Sequence, residues 1–274
     1  MSDPAFLAIR PGNSRLILSI PHAGIEIPAA LADRYVSRWQ AQADADWWLP
    51  QLYDFAEDLD ITIIRTAISR SVIDVNRDPS GVSLYPGMAT TGLCPTEDFD
   101  GRPLYHPGTS PGDDEIAARL AGYFAPYHAA LRDAIAQVRA LHDNIVVFDA
   151  HSIRSVIPRL FEGVLPVCNL GTNDGASASR HLLTVLAARC GASGFSHITN
   201  GRFKGGYITR HYGNPAGGVH AVQLELACRG YIDEPDGAIA PDNWPTVYDA
   251  ARAAPMRALL RELFDACLHH DLSS

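Results

Sequence analysis

The sequence predicts an α/β fold, a three-layer sandwich around a central mixed, mostly parallel sheet. Short apolar and β-branched runs alternate along the chain with stretches of helical period. Several of those runs stop abruptly at polar, chemically active residues, as strands do where an open α/β sheet presents a site beyond their carboxyl ends. No linker or internal repeat interrupts the 274 residues, so residues 1–274 are read as one domain.

Residues 16–21, LILSIP, read as a short buried strand closed by the turn Pro21-His22-Ala23-Gly24. Arg34 to Asp58 reads as mainly helical, interrupted by Pro50. Ile61 to Ile64 is a second strand and Ser71 to Val75 a candidate third. Residues 77–112 are rich in Gly, Pro, Thr and Asp without a sustained period, and form either a functional loop or an ordered excursion with short strands of its own. From Asp113 to Leu141, apolar residues recur at spacings of three and four, which predicts a helix capped by Asp113 or Asp114 and kinked at Pro126. Ile145 to Phe148 is a strand that runs into Asp149-Ala150-His151. Arg180 to Cys190 is helical, residues 196–200 are a candidate strand, and residues 219–226, VHAVQLEL, form a strand that ends near Glu225. Thr246 to Leu268 closes the chain as an amphipathic helix with Val247, Leu259, Leu260, Leu263 and Phe264 towards its buried side and a kink at Pro255.

A net charge of −9 speaks against nucleic acid as a partner, because such proteins carry basic surfaces. It leaves room for an anionic small molecule, since local arginines override a distant net field. No apolar run is long enough to span a membrane, and the first residues lack the basic and apolar regions of a signal peptide. The expectation is a cytoplasmic protein of open oligomeric state. The five cysteines form no CxxC pair, so neither a zinc knuckle nor a disulfide framework is indicated.

Two of the 11 histidines stand out by position. His22 and His151 each follow a buried strand, where side chains of separate strands converge. A hydrolytic metal site takes three ligands from His, Asp or Glu and keeps one position for water. Two imidazoles need one carboxylate, and Glu26, Asp44, Asp46 and Asp149 are all in range; spacing alone does not choose among them. Asp149 lies two residues before His151 and would share its strand face, either as a ligand or as the acid that holds an imidazole. Glu225 is the only Asp, Glu, Lys or Arg between Val219 and Cys228, so it is a carboxylate in a buried strand, suited to a general base. Arg70, Arg77, Arg154, Arg159, Arg202 and Arg210 flank strand ends or Gly-rich turns and suit recognition of carboxylates. No G-x-S-x-G elbow is read in the sequence, which places a serine hydrolase last among the readings.

SIPHAG at 19–24, DADW at 44–47, VIDVNR at 72–77, SLYPG at 83–87, TTGLCP at 90–95, FDAHSIRS at 148–155, PRLFEG at 158–163, NLGT at 169–172, NGRFKGGYITRHYG at 200–213 and VHAVQLELA at 219–227 together resemble the N-formylglutamate amidohydrolase family. The resemblance implies a fold and chemistry similar to the zinc carboxypeptidases and hydrolysis of N-formyl-L-glutamate to formate and L-glutamate, in histidine degradation. Carried over by motif, it implies His22, Asp46 and His151 as ligands of one divalent metal, taken as Zn2+, and Glu225 as the base. It implies Asn76 and Arg77 as a pair holding a carboxylate of a small dicarboxylate substrate, with Arg154, Arg202 and Arg210 as further substrate contacts. Asp149 then becomes support for an imidazole. One departure is visible: Trp48 stands where the family pattern expects a histidine.

Overall fold

The computed structural model describes residues 5–83, 87 and 89–272. Leu84, Tyr85 and Pro86 of the SLYPG motif lie outside the described residues. Seven strands, β1 (Leu7–Arg10), β2 (Leu16–Ile20), β3 (Thr62–Thr66), β4 (Ile145–Ile153), β5 (Cys168–Gly171), β6 (His197–Thr199) and β7 (Val219–Ala227), form one sheet in the order β1-β3-β2-β4-β7-β5-β6. β1 with β3 and β5 with β7 are antiparallel, and the other four pairings are parallel. The sheet is therefore mixed and mostly parallel, with helices on both faces.

β2, β4 and β7 are adjacent and parallel in the middle of the sheet. Strands covered on both faces read as near-continuous apolar runs, and all nine residues of β4 are buried. Alternation divides them between two cores. Val146, Phe148 and Ala150 of β4, with Val222, Leu224 and Leu226 of β7, pack beneath the helix Ala250–His269 through Leu259, Leu260, Leu263 and Phe264. Ile145, Val147 and Ala221 point the other way, towards Tyr127, Leu131 and Val138 of the helix Ala125–Arg139. Continued along the strands, that second alternation delivers Asp149 and His151 from β4 and Gln223 and Glu225 from β7 to one face. The parallel register sets His151 directly opposite Glu225.

Several local expectations are corrected. Leu7–Arg10 forms an edge strand too short for periodicity to reveal. Ser71 to Val75 is not a strand but a turn, in which Asp74 N–H donates to Leu93 O. The stretch from Arg34 to Asp58 breaks into three pieces, Arg38–Gln42, Leu49–Leu52 and Asp54–Asp58. Neither Asp113 nor Asp114 caps the following helix; Gly112 occupies that position, and both acids sit in the first turn, where the helix dipole favours negative charge. Ahead of Pro126 the helix widens over Leu120–Phe124, which accommodates a residue that has no N–H to donate. The last helix starts at Ala250 with Asp249 as its cap, which leaves Val247 outside it and 86% exposed. No sheet strand lies between residues 77 and 112 among the described residues, only bridges such as Glu97 to Pro103. Among the described residues, no helix is long and apolar enough to cross a membrane.

Phe264 is fully buried and packs edge-on against Phe148 at 5.1 Å, beside Tyr53 and Phe55. F264A is expected to lower unfolding free energy by about 3–5 kcal/mol in urea titrations, as loss of a core aromatic does. A loss below about 1 kcal/mol contradicts this packing.

Candidate metal centre and active site

The turn after β2 and the end of β4 bring His22 and His151 face to face, with Nδ1 atoms 3.1 Å apart. Asp46 reaches them from the loop before Leu49–Leu52, where its backbone N–H donates to His22 O at 2.9 Å. Its Oδ2 lies 3.2 Å from His151 Nδ1 and 3.9 Å from His22 Nδ1. His22, Asp46 and His151 are all buried and form a candidate metal-binding triad. Two ligands about 2.1 Å from a tetrahedral ion lie about 3.4 Å from each other, so these separations fit one ion.

The far nitrogens explain why the near ones converge. His22 Nε2 lies 2.6 Å from Asp74 Oδ1, and His151 Nε2 lies 2.9 Å from Asp149 Oδ2. With the proton of each ring on Nε2, each carboxylate accepts an N–H···O bond from it and the Nδ1 lone pair turns inward. Two imidazole lone pairs and the Asp46 carboxylate then meet in a buried space, a repulsive arrangement that a cation resolves. The local field shows the same demand. Burial alone would lower His151, but Asp149, Asp46 and Glu225 outweigh it and raise its pKa well above the ordinary histidine value. Burial, reinforced by the Arg70 guanidinium, holds His22 below it.

Asp149 is fixed in turn by Ser19 Oγ at 3.0 Å, which is itself 2.9 Å from Tyr127 Oη. Asp74 is gripped by Arg70 Nη2 at 2.8 Å; despite burial, which opposes it, His22, Arg70 and Arg77 hold this carboxyl well below its usual range. Asp74 carries no role in the sequence expectations, although an acid among buried Val72, Ile73 and Val75 is the same kind of signal that singles out Glu225. Of the other carboxylates considered as ligands, Glu26 is exposed, Asp149 faces the far side of His151, and Asp44 accepts Phe99 N–H at 2.7 Å away from the triad.

A cavity opens beside the triad, lined among others by Arg70, Asn76, Arg77, Arg202, Gln223 and Glu225. Burial pushes the Glu225 carboxyl up to about 7, against the opposing pull of His151. That value suits a group that both takes and returns a proton near neutrality. Arg77 Nη2 donates to Thr91 Oγ1 at 3.1 Å, and Arg202 Nη2 to Ala89 O at 3.0 Å. Asn76 also lines the cavity, but its amide nitrogen lies 2.9 Å from His151 Nε2 and donates to Asp149 Oδ2 at 3.1 Å, so it is engaged by His151 and its support.

Two expected substrate arginines are not brought there. Arg154 follows His151 by three positions, so alternation sends it to the opposite side, where it donates to Asp100 Oδ2 at 3.0 Å. Arg210 lies in the helix Tyr207–Tyr212 and donates through Nε to Gly205 O at 2.9 Å; it does not line the cavity. Trp48 donates to Thr246 O at 2.9 Å and likewise lies away from the cavity. One G-x-S-x-G string, Gly108-Thr109-Ser110-Pro111-Gly112, does exist, but Ser110 is exposed in a loop with no strand leading into it, so it is not a nucleophile elbow.

Residues 14–232 match the N-formylglutamate amidohydrolase family. The chain belongs to that family. It is 44% identical over 263 residues to an N-formylglutamate deformylase of Pseudomonas aeruginosa, covering 96% of each chain. It is 43% identical to one of Pseudomonas putida, covering 96% of this chain and 95% of that one. A crystal structure of N-formylglutamate amidohydrolase from Ralstonia eutropha JMP134 shares the fold with a TM-score of 0.78 at 21% identity, over 96% of this chain and 97% of that one. A gene product of Agrobacterium tumefaciens does so with a TM-score of 0.71 at 18% identity, over 95% and 94%.

Removing the carboxylates behind the imidazoles tests their role. D74N and D149N are each expected to weaken divalent-metal binding by about 10- to 100-fold in competition titrations. Unchanged affinity in both contradicts that role.

Proposed function

We propose that this protein hydrolyses N-formyl-L-glutamate to formate and L-glutamate. The observation that carries this reading is the buried triad of His22, Asp46 and His151 beside Glu225 and the cavity arginines, in a chain 44% identical over nearly its whole length to a curated N-formylglutamate deformylase. His22 and His151 through Nδ1 and Asp46 through Oδ2 would hold one divalent ion, taken as Zn2+. When bound, such an ion lowers the pKa of water and polarises a carbonyl oxygen.

The chain's own groups do the rest. Glu225 accepts a proton from the attacking water as the C–O bond to the formyl carbon forms. Arg70, which lines the cavity, adds positive charge where the oxyanion develops. Glu225 then returns the proton to the amide nitrogen as the C–N bond breaks, releasing formate and the free amine. Arg77 and Arg202 bind the two carboxylates, since a guanidinium matches a carboxylate through two parallel N–H donors. Asn76 steadies Asp149 beside them. The reaction belongs to histidine degradation, an assignment supported by the sequence resemblance.

Steady-state kinetics on N-formyl-L-glutamate, N-formyl-L-aspartate and N-acetyl-L-glutamate test substrate choice; the formylated glutamate is expected to have the highest kcat/KM, and preference for either of the others contradicts it. E225Q is expected to lower kcat by about 10²- to 10⁴-fold while bound metal is unchanged. Near-full turnover in E225Q removes Glu225 as the base. R77A and R202A are expected to raise KM by about 10- to 100-fold, as loss of a charged hydrogen bond of about 1.5–3 kcal/mol does.

A further inference from the structure

Gly206, Tyr207 and Ile208, at the start of the helix Tyr207–Tyr212, direct three consecutive backbone N–H groups at two residues of the site. Gly206 donates to Gln223 Oε1 at 2.7 Å. Tyr207 donates to Asn76 O at 3.1 Å, and Ile208 to Asn76 Oδ1 at 2.7 Å. A side-chain amide whose oxygen is held this way has its orientation settled, and its NH2 must point the other way. In both residues that NH2 meets a carboxylate. Asn76 Nδ2 donates to Asp149 Oδ2, and Gln223 Nε2 donates to Glu225 Oε2 at 3.0 Å.

The two halves of this device are built tightly. Gln223 is 4% exposed and lies two residues before Glu225 on β7, so both side chains leave the strand on one face. Gly206 is pressed against Asn76: a Cβ added there would stand 2.4 Å from Asn76 Nδ2, which leaves no room for a side chain. The glycine is required by close approach, and that approach lets its N–H reach Gln223.

We propose that Gln223 is a positioning residue for Glu225, with the backbone of Gly206 setting the orientation of its amide. By donating to Oε2, Gln223 holds one carboxylate oxygen and leaves Oε1 to work on water. A glutamate side chain has three rotatable bonds, and a base displaced by about 1 Å loses on the order of 100-fold in rate. The inference rests on the assignment of Glu225 as the base. It accounts for a buried amide two residues before Glu225 on β7, and it connects the backbone of Gly206 to the chemistry, separately from the substrate contact assigned to Arg202.

The test compares Q223M, Q223E and E225Q as metal-loaded full-length enzymes, with kcat, KM, bound metal and the urea midpoint measured for each. Q223M removes both hydrogen bonds at similar volume. Q223E keeps the acceptor for Gly206 N–H and replaces the donor to Glu225 with a second carboxylate. Both are expected to lower kcat about 10- to 100-fold with KM within about twofold and metal content unchanged, and Q223E is expected to do so with a urea midpoint close to that of the parent. If E225Q is inactive while both Gln223 variants keep kcat within about twofold, the positioning role is overturned and the base assignment stands. A rise in KM with kcat intact assigns Gln223 to substrate binding instead, and a lower urea midpoint with kcat intact assigns it to structure; either result overturns the proposal. If E225Q keeps near-full turnover, the base assignment fails and this inference with it.

Discussion

The site depends on the parallel pairing of β2, β4 and β7. Parallel strands end on the same side of a sheet, so three adjacent carboxyl ends put His22, His151 and Glu225 within one small volume. None of these residues is near another in sequence, and no single element could assemble them. The register does the fine work: His151 sits opposite Glu225, and alternation turns both to the face shared with Asp149 and Gln223. A shift of one residue in β4 would replace His151 on that face with Ser152, and the candidate metal triad would be broken.

Burial makes that placement costly, and the surrounding charges offset the cost. Asp46, Asp74 and Asp149 are almost wholly buried, and each is answered by a specific partner. Asp74 lies between His22 and Arg70, Asp149 between His151 and Ser19, and Asp46 receives Ser152 N–H at 3.1 Å. What these contacts leave unanswered is the inner edge, where two imidazole nitrogens and a carboxylate oxygen face one another. Buried acceptors that face one another are unstable unless a proton or a metal cation joins them, and the raised pKa of His151 shows that pull on positive charge. The proposal of a bound metal therefore rests on the hydrogen bonds on the outside of the site as much as on the candidate ligands inside it.

Much of this was legible in the chain, and the limits have physical causes. β4 and β7 are visible because strands buried on both faces leave long apolar runs, and a histidine or glutamate in or after such a run stands out. The resemblance of motifs narrowed the carboxylate to Asp46, where spacing left four candidates. Arg154 and Arg210 illustrate the opposite case: both lie in motifs close to the site, but strand alternation and a helix surface carry them away from it. The edge strand β1 was hidden because four residues carry no readable period. Asp74 and Gln223 were hidden for another reason. Their importance lies in what they hold, His22 and Glu225, and a partner across 52 residues, like the anchoring of an amide by Gly206, exists only in three dimensions.

The central claim is that His22, Asp46 and His151 share one divalent ion. Anomalous diffraction from crystals of the zinc-loaded protein tests it directly. The account predicts a peak about 2.0–2.2 Å from His22 Nδ1, His151 Nδ1 and one Asp46 carboxylate oxygen, with both Nε2 atoms still bonded to Asp74 and Asp149. A peak elsewhere, or ligation through Nε2, would contradict it.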